Sequence, residues 1–253
     1  MRAFGVCLVT ALTVYMSAQV ARAQGPAGLS GQQLAVACAA SPGPPPAQTP
    51  DALRVRGAQD TSTRTLFGTG ELVIVNGGTQ AGVALNQRYF LRHPIASGAY
   101  GSHRIAEAET AVTTGWLRVV AVNATTAIAT IDYICDAVMA GDYLEPFVAP
   151  PAATPAGQVA EPDFSSMGRV LYGNDQRQLG AAGDLMLIDR GDEHGATPGA
   201  RFAIYRDLRT GVPLVAVGEG MVVSSSGGRA LMRILSSRSA VESGDYVVPR
   251  ASR

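Results

Sequence analysis

Gly70-Glu71-Leu72-Val73-Ile74-Val75 and Gly183-Asp184-Leu185-Met186-Leu187-Ile188 repeat one pattern in a single chain: a glycine, an acid and a short apolar run. At the same offset Gly78, Gly82 and Arg88-Tyr89 fall on Gly191, Gly195 and Arg201-Phe202 without a gap. The match resumes after a loop that is longer in the first copy. Val119-Val120 falls on Val222-Val223, Ala127 on Ala230, Ala137-Val138 on Ala240-Val241, and Gly141-Asp142-Tyr143 with Pro146 on Gly244-Asp245-Tyr246 with Pro249. Shared composition does not explain a match that ends on Gly-Asp-Tyr-x-x-Pro, so the chain carries an internal duplication.

Each copy reads as short strands. Leu72 to Val75 and Leu185 to Ile188 are β-rich apolar runs ended by glycine-rich turns, and Arg88 to Arg92 and Arg201 to Arg206 follow as second strands. Trp116 to Val122 and Ala127 to Ile134 form a hairpin around Asn123 to Thr126; its counterpart turns at Ser225 to Gly228, and closing strands begin at Tyr143 and Tyr246. Closure removes exposed sheet edges, so the expected class is all-β: two tandem small five-stranded SH3-like barrels or compact β-sandwiches. Strand alternation places Leu72, Ile74, Leu185 and Leu187 on the inward face. The glycine pairs Gly78/Gly82 and Gly191/Gly195 are expected to take positive φ at both ends of a tight connection, as are Gly141 and Gly244.

Composition sets the boundaries. Residues 1–23 read as a signal peptide: Arg2 is the positive start, Ala3 to Met16 the apolar stretch, and Ala21-Arg22-Ala23 the small-residue site before Gln24. That stretch is shorter than the roughly 20 apolar residues a membrane span needs, so the mature chain is not expected to cross a membrane. Leu34-Ala35-Val36-Ala37-Cys38 loosely resembles a lipobox, which makes lipidation of Cys38 the competing route. Residues 24–54 and 148–169 read as Pro-rich and Pro/Ala-rich linkers around the copies at 55–147 and 170–250.

The 253-residue chain is 47% hydrophobic and 16% charged, a globular balance that excludes a disordered or collagen-like polymer. All 20 basic residues are arginine; without the leader, 18 face 20 acids, so nucleic acid is not an expected partner. The mature chain keeps two cysteines, Cys38 and Cys135, which pair in an oxidising compartment or remain as two free thiols.

Chemistry is sparse. The sequence holds no G-x-S-x-G, no H-E-x-x-H and no phosphate-binding glycine motif, and its three histidines, His93, His103 and His194, fall in expected turns or loops. Asp192-Glu193-His194 has metal-donor residue types but reads as a solvated turn. No catalytic residue, cofactor or metal is therefore expected. The long first-copy connection between Arg92 and Thr114 carries Tyr100, His103 and Arg104, which with Trp116 form the expected partner-contact loop.

The Gly-acid-x-apolar-x-apolar run, the spaced glycines before Arg-aromatic and the Gly-Asp-Tyr ending resemble the small C-terminal β-domain of flagellar assembly protein T. Similar domains accompany LysM modules in bacterial envelope proteins. The resemblance implies an exported, periplasmic or secreted, non-enzymatic module that binds an envelope protein or peptidoglycan, and it brings no catalytic residues. Two alternatives stand beside it: an exported hydrolase or metal-dependent enzyme using residues 93–114, and a structural periplasmic spacer. Asn86 departs from the pattern where the second copy has Gly199.

Overall fold

The computed structural model describes residues 28–43, 52–95, 110–152, 154, 159–209 and 211–252. The expected leader lies outside these residues. In the first copy the strands are β1 (Val55–Ala58), β2 (Leu66–Phe67), β3 (Leu72–Val75), β4 (Arg88–Ile95), β5 (Thr110–Val122), β6 (Ala127–Ile134), β7 (Val138–Met139) and β8 (Tyr143–Pro146). After an extra strand, β9 (Val159–Pro162), the second copy repeats them as β10 (Gly168–Gly173), β11 (Leu179–Gly180), β12 (Leu185–Ile188), β13 (Arg201–Arg206), β14 (Val215–Ser226), β15 (Arg229–Ser237), β16 (Val241–Glu242) and β17 (Tyr246–Ser252).

The chain is all-β with two barrel-like domains. Six strands, one more than expected, make each ring, in the orders β1-β3-β6-β5-β4-β8 and β10-β12-β15-β14-β13-β17. A β10–β17 pairing closes the second ring. Val55 N–H donates to the Asp142 carbonyl at 2.9 Å and Leu144 N–H to the Leu53 carbonyl at 2.8 Å, which draws the first ring shut. Strand β9 lies along β17, so the end of the second linker is built into the second sheet.

The inward face differs from the one alternation selects. Val73 and Val75 fill the first core and Met186 and Ile188 the second. Leu72 is exposed and Ile74 half-buried, whereas Leu185 and Leu187 are buried on the outside of their barrel. An apolar strand covered on both sides gives no alternation to read.

The turn glycines divide into two kinds. Gly82 and Gly195 adopt φ of 76° and 75°, and Gly141 and Gly244 are likewise positive. Gly78 and Gly191 are extended instead, at φ −129° and −124°. They are needed because a Cβ would stand 2.2 Å from the Asn123 carbonyl oxygen or 2.0 Å from that of Gly227. Asn86 takes φ 64° where Gly199 takes 96°, so the turn survives in the left-handed conformation that asparagine tolerates.

The largest departure lies in the expected N-terminal linker. Residues Gly31–Ala37 form a helix, α1, opened by a capping box in which Ser30 and Gln33 satisfy each other's backbone N–H groups. Cys38 follows and is bonded to Cys135, 97 residues away, so the thiol is neither free nor open to lipidation. Leu29 and Ala37 pack on Phe90 and Trp116 of the first barrel, and Ser41 pairs with Ala111 on the open edge of β5. Ala39 packs on Leu185, Met221, Val223 and Leu231 of the second barrel, and Ala40 on Leu171 and Leu187. Residues 29–41 are thus a wedge that both barrels bury.

Candidate functional site

Where α1, the first barrel and the β14–β15 hairpin meet, a cleft of about 320 Å3 remains open. Arg92 and Phe90 reach it from β4, Glu145 from β8, and Ser224 to Ser226 from β14; Ala39 and Pro150 belong to its apolar walls. Arg92 and Glu145 are peculiar to the first copy, since the duplication places Tyr205 and Val248 at their positions in the second.

The floor of the cleft is a braced cation. Arg92 is 7% exposed and donates through Nε to Glu145 Oε2 at 3.0 Å and through Nη1 to Thr113 Oγ1. Thr113 in turn donates to the Ala39 carbonyl at 2.7 Å, and the guanidinium lies 4.6 Å from the Phe90 ring centroid. Burying a guanidinium is costly unless it is paired and hydrogen-bonded in this way. The same neighbourhood holds the Tyr143 phenol, which burial pushes up to about 12 against an opposing pull from Arg92. Glu145 keeps 47% of its side chain exposed, so a carboxylate and three half-buried serines face the opening. Such a lining accepts hydroxyl or amide donors beside small apolar groups. It pairs no serine with an imidazole, because no histidine is among the described lining residues.

His93 stands on β4 rather than in a loop. Its Nδ1 lies 2.9 Å from Oδ1 of the fully buried Asp142, while Asp142 Oδ2 accepts from Thr114 Oγ1 at 2.8 Å and from Met139 N–H at 3.0 Å. The second barrel repeats this with Arg206 in place of the histidine, bonded twice to Asp245 at 2.8 Å, and with Glu242 N–H on Asp245 Oδ2. Those bonds hold the Arg206 guanidinium above its ordinary pKa. Recurrence in both copies marks these carboxylates as clamps of the Gly-Asp turn. The Thr114 hydroxyl faces the carboxylate and not the imidazole, which is not the order a nucleophile and its base require.

Of the expected contact residues, Tyr100, His103 and Arg104 lie outside the described residues. Trp116 is corrected: it is 0% exposed, stacked on Tyr133 at 4.6 Å and roofed by α1, so it offers no surface to a partner. Asp192, Glu193 and His194 form an exposed single-turn 3-10 helix. Among the described residues no three His, Cys, Asp or Glu side chains gather as a metal would require. Arg92, Glu145 and Ser224 to Ser226 were missed because their meeting depends on the docked wedge. The signal for that docking was present as Ser30-x-x-Gln33 before an apolar turn.

No protein-family model matches the chain, and no curated protein matches it.

Proposed function

We propose that this chain is an exported, non-enzymatic binding or assembly module of a bacterial cell envelope, and that the cleft between its barrels is the seat of its ligand. The observation that carries this reading is the wedge. One disulfide-anchored segment fixes two barrels against each other and leaves between them a cleft whose polar groups come from both. Rigid placement of convergent polar groups lowers the ordering cost of binding. The Cys38–Cys135 bond is compatible with an oxidising compartment, which supports export. The likeness to the flagellar assembly protein T domain supports an envelope role for the repeated barrel.

Filling the cleft tests the reading. Ser225→Trp is expected to leave the melting temperature nearly unchanged and to abolish retention on the native ligand, assayed both by co-sedimentation with insoluble peptidoglycan and by pull-down from envelope extracts. Undiminished retention of the variant in the assay that retains the parent chain would remove the cleft from the account.

A further inference from the structure

Each barrel presents two outer faces, and the wedge covers only one of each. On the first barrel it covers Phe90, Trp116, Tyr133 and Phe147; the second barrel has Ala203, Glu219, Ser236 and Arg250 at those positions. That face is polar where the first barrel's is aromatic: Arg201 and Arg250 both pair with Glu219 at 3.0 and 2.9 Å, and Arg250 also donates to the Ala160 carbonyl of β9. On the second barrel the wedge covers Leu171, Leu185, Leu187, Met221, Val223 and Leu231.

The first barrel's version of that last face is uncovered among the described residues, yet it is not adapted to water. Register puts Leu72, Ile74, Val120 and Ile128 where the second barrel has Leu185, Leu187, Val223 and Leu231. Leu72 and Val120 are 40% and 37% exposed, and Ile74 lies directly across from Ile128. Only the surround has changed: Arg56 replaces Leu171, Arg118 replaces Met221, and Asp132 replaces Leu235. Arg88 and Arg118 share the single Asp132 at 3.6 and 3.3 Å, and Arg56 is exposed. Arg56, Arg88 and Arg118 against Asp132, with Arg64 between Asp60 and Glu71 at the Leu72 end, leave the rim with four cations against three acids, a net positive charge on a chain that has none overall.

We propose that this face docks a short acidic segment of a partner protein whose small apolar residues seat on Leu72, Ile74, Val120 and Ile128 as residues 36–40 seat on the second barrel. Charge chooses the occupant. Two copies of the face brought together would oppose like-charged rims, whereas an acidic segment meets the arginines and leaves the apolar centre to small side chains. Burial of apolar surface supplies the affinity and the rim the selection. The site is separate from the cleft and does not depend on what the cleft binds.

The test uses the full oxidised chain with labelled methyl groups. Its probe is a synthetic peptide carrying Val-Ala-Ser-Ala-Ala between paired glutamates, with a lysine-flanked peptide as control. Saturable shifts at the Leu72, Ile74, Val120 and Ile128 methyls are expected with the acidic peptide only. Arg56→Glu with Arg118→Glu should weaken binding about tenfold, and Val120→Asp should abolish it, with folding checked by an unchanged melting curve. Equal binding of the lysine peptide, or no saturable shift at these methyls, would overturn the proposal. So would a dimer in sedimentation equilibrium that Val120→Asp dissolves. Shifts confined to the cleft-lining methyls of Val36 and Val148 would overturn it too while leaving the cleft reading intact, and Ser225→Trp should leave peptide binding at the barrel face unchanged.

Discussion

The two barrels share a ring order, a turn set and a buried Asp clamp, yet they differ in what lies on top of them. Leu187 and Ile74 occupy equivalent positions; one is 0% exposed under Ala40 and the other is half-buried at an open surface. Trp116 and Glu219 are equivalent too, one roofed by α1 and the other holding two arginines. Duplication supplied the framework, and the outer faces diverged according to whether the N-terminal wedge reaches them. The burial of a strand residue here is decided by a segment far away in sequence.

Breaking the wedge's anchor should have the largest effect. A cross-link closing a loop of about this length is worth roughly 4 kcal/mol in the chain-entropy model. Cys38→Ser with Cys135→Ser is expected to lower stability by that order in urea unfolding. The loss should appear first in the exchange protection of residues 29–41 and of Trp116 beneath them. A double variant as stable as the parent would mean that the segment is held by packing alone.

Matched truncations sharpen the comparison. Leu187→Ala should cost about 3 kcal/mol, because it opens a cavity beneath the wedge. Ile74→Ala should cost about 1 kcal/mol or less, because its side chain already meets solvent. Equal losses, measured by urea unfolding of each variant, would show that the two faces are covered alike.

Alkaline titration should weaken the first barrel by a smaller margin. The Tyr143 phenol titrates near 12 in the folded chain and near 10 when unfolded, so its contribution is whole below pH 10 and is lost as pH climbs towards 12. After allowance for solvent screening the loss is roughly 1–2 kcal/mol. Tyr143→Phe should remove that step from the first barrel's unfolding curve.

Much of the framework was legible in the sequence because it is local. The turn glycines, the paired apolar runs and the Gly-Asp-Tyr ending each leave a mark within a few residues, whereas Cys38 and Cys135, 97 residues apart, were candidates for a pair by count alone. The second hairpin still proved longer than its apolar core suggested, turning at Gly227 and Gly228 with strands out to Val215 and Ser237. What was not legible is tertiary. Leu185-Met186-Leu187-Ile188 is apolar throughout, so no periodicity says which side is the core. The wedge is only seven helical residues beside prolines, and its weight comes from two barrels that the local pattern does not contain. Arg92 reads as an ordinary strand arginine until Ala39 is seen to close over its partner Thr113.

Exchange at the turn where the first copy has Asn86 and the second Gly199 should be nearly silent. Asn86→Gly replaces a tolerated left-handed asparagine with the residue the second barrel uses, and thermal melting should move by only a few tenths of a kcal/mol. A larger shift would mean that the Asn86 side chain has a role the duplication does not share.

The central claim is that residues 29–41 join the two barrels into one body. Limited proteolysis between residues 152 and 159 separates the chain into two fragments with no covalent tie, since both disulfide cysteines lie in the first. Size-exclusion chromatography of the nicked, oxidised protein is expected to show both fragments eluting together at the mass of the intact chain, and separating once the disulfide is reduced. Fragments that part while the disulfide is intact would contradict the account, because the wedge would then cover the second barrel without holding it.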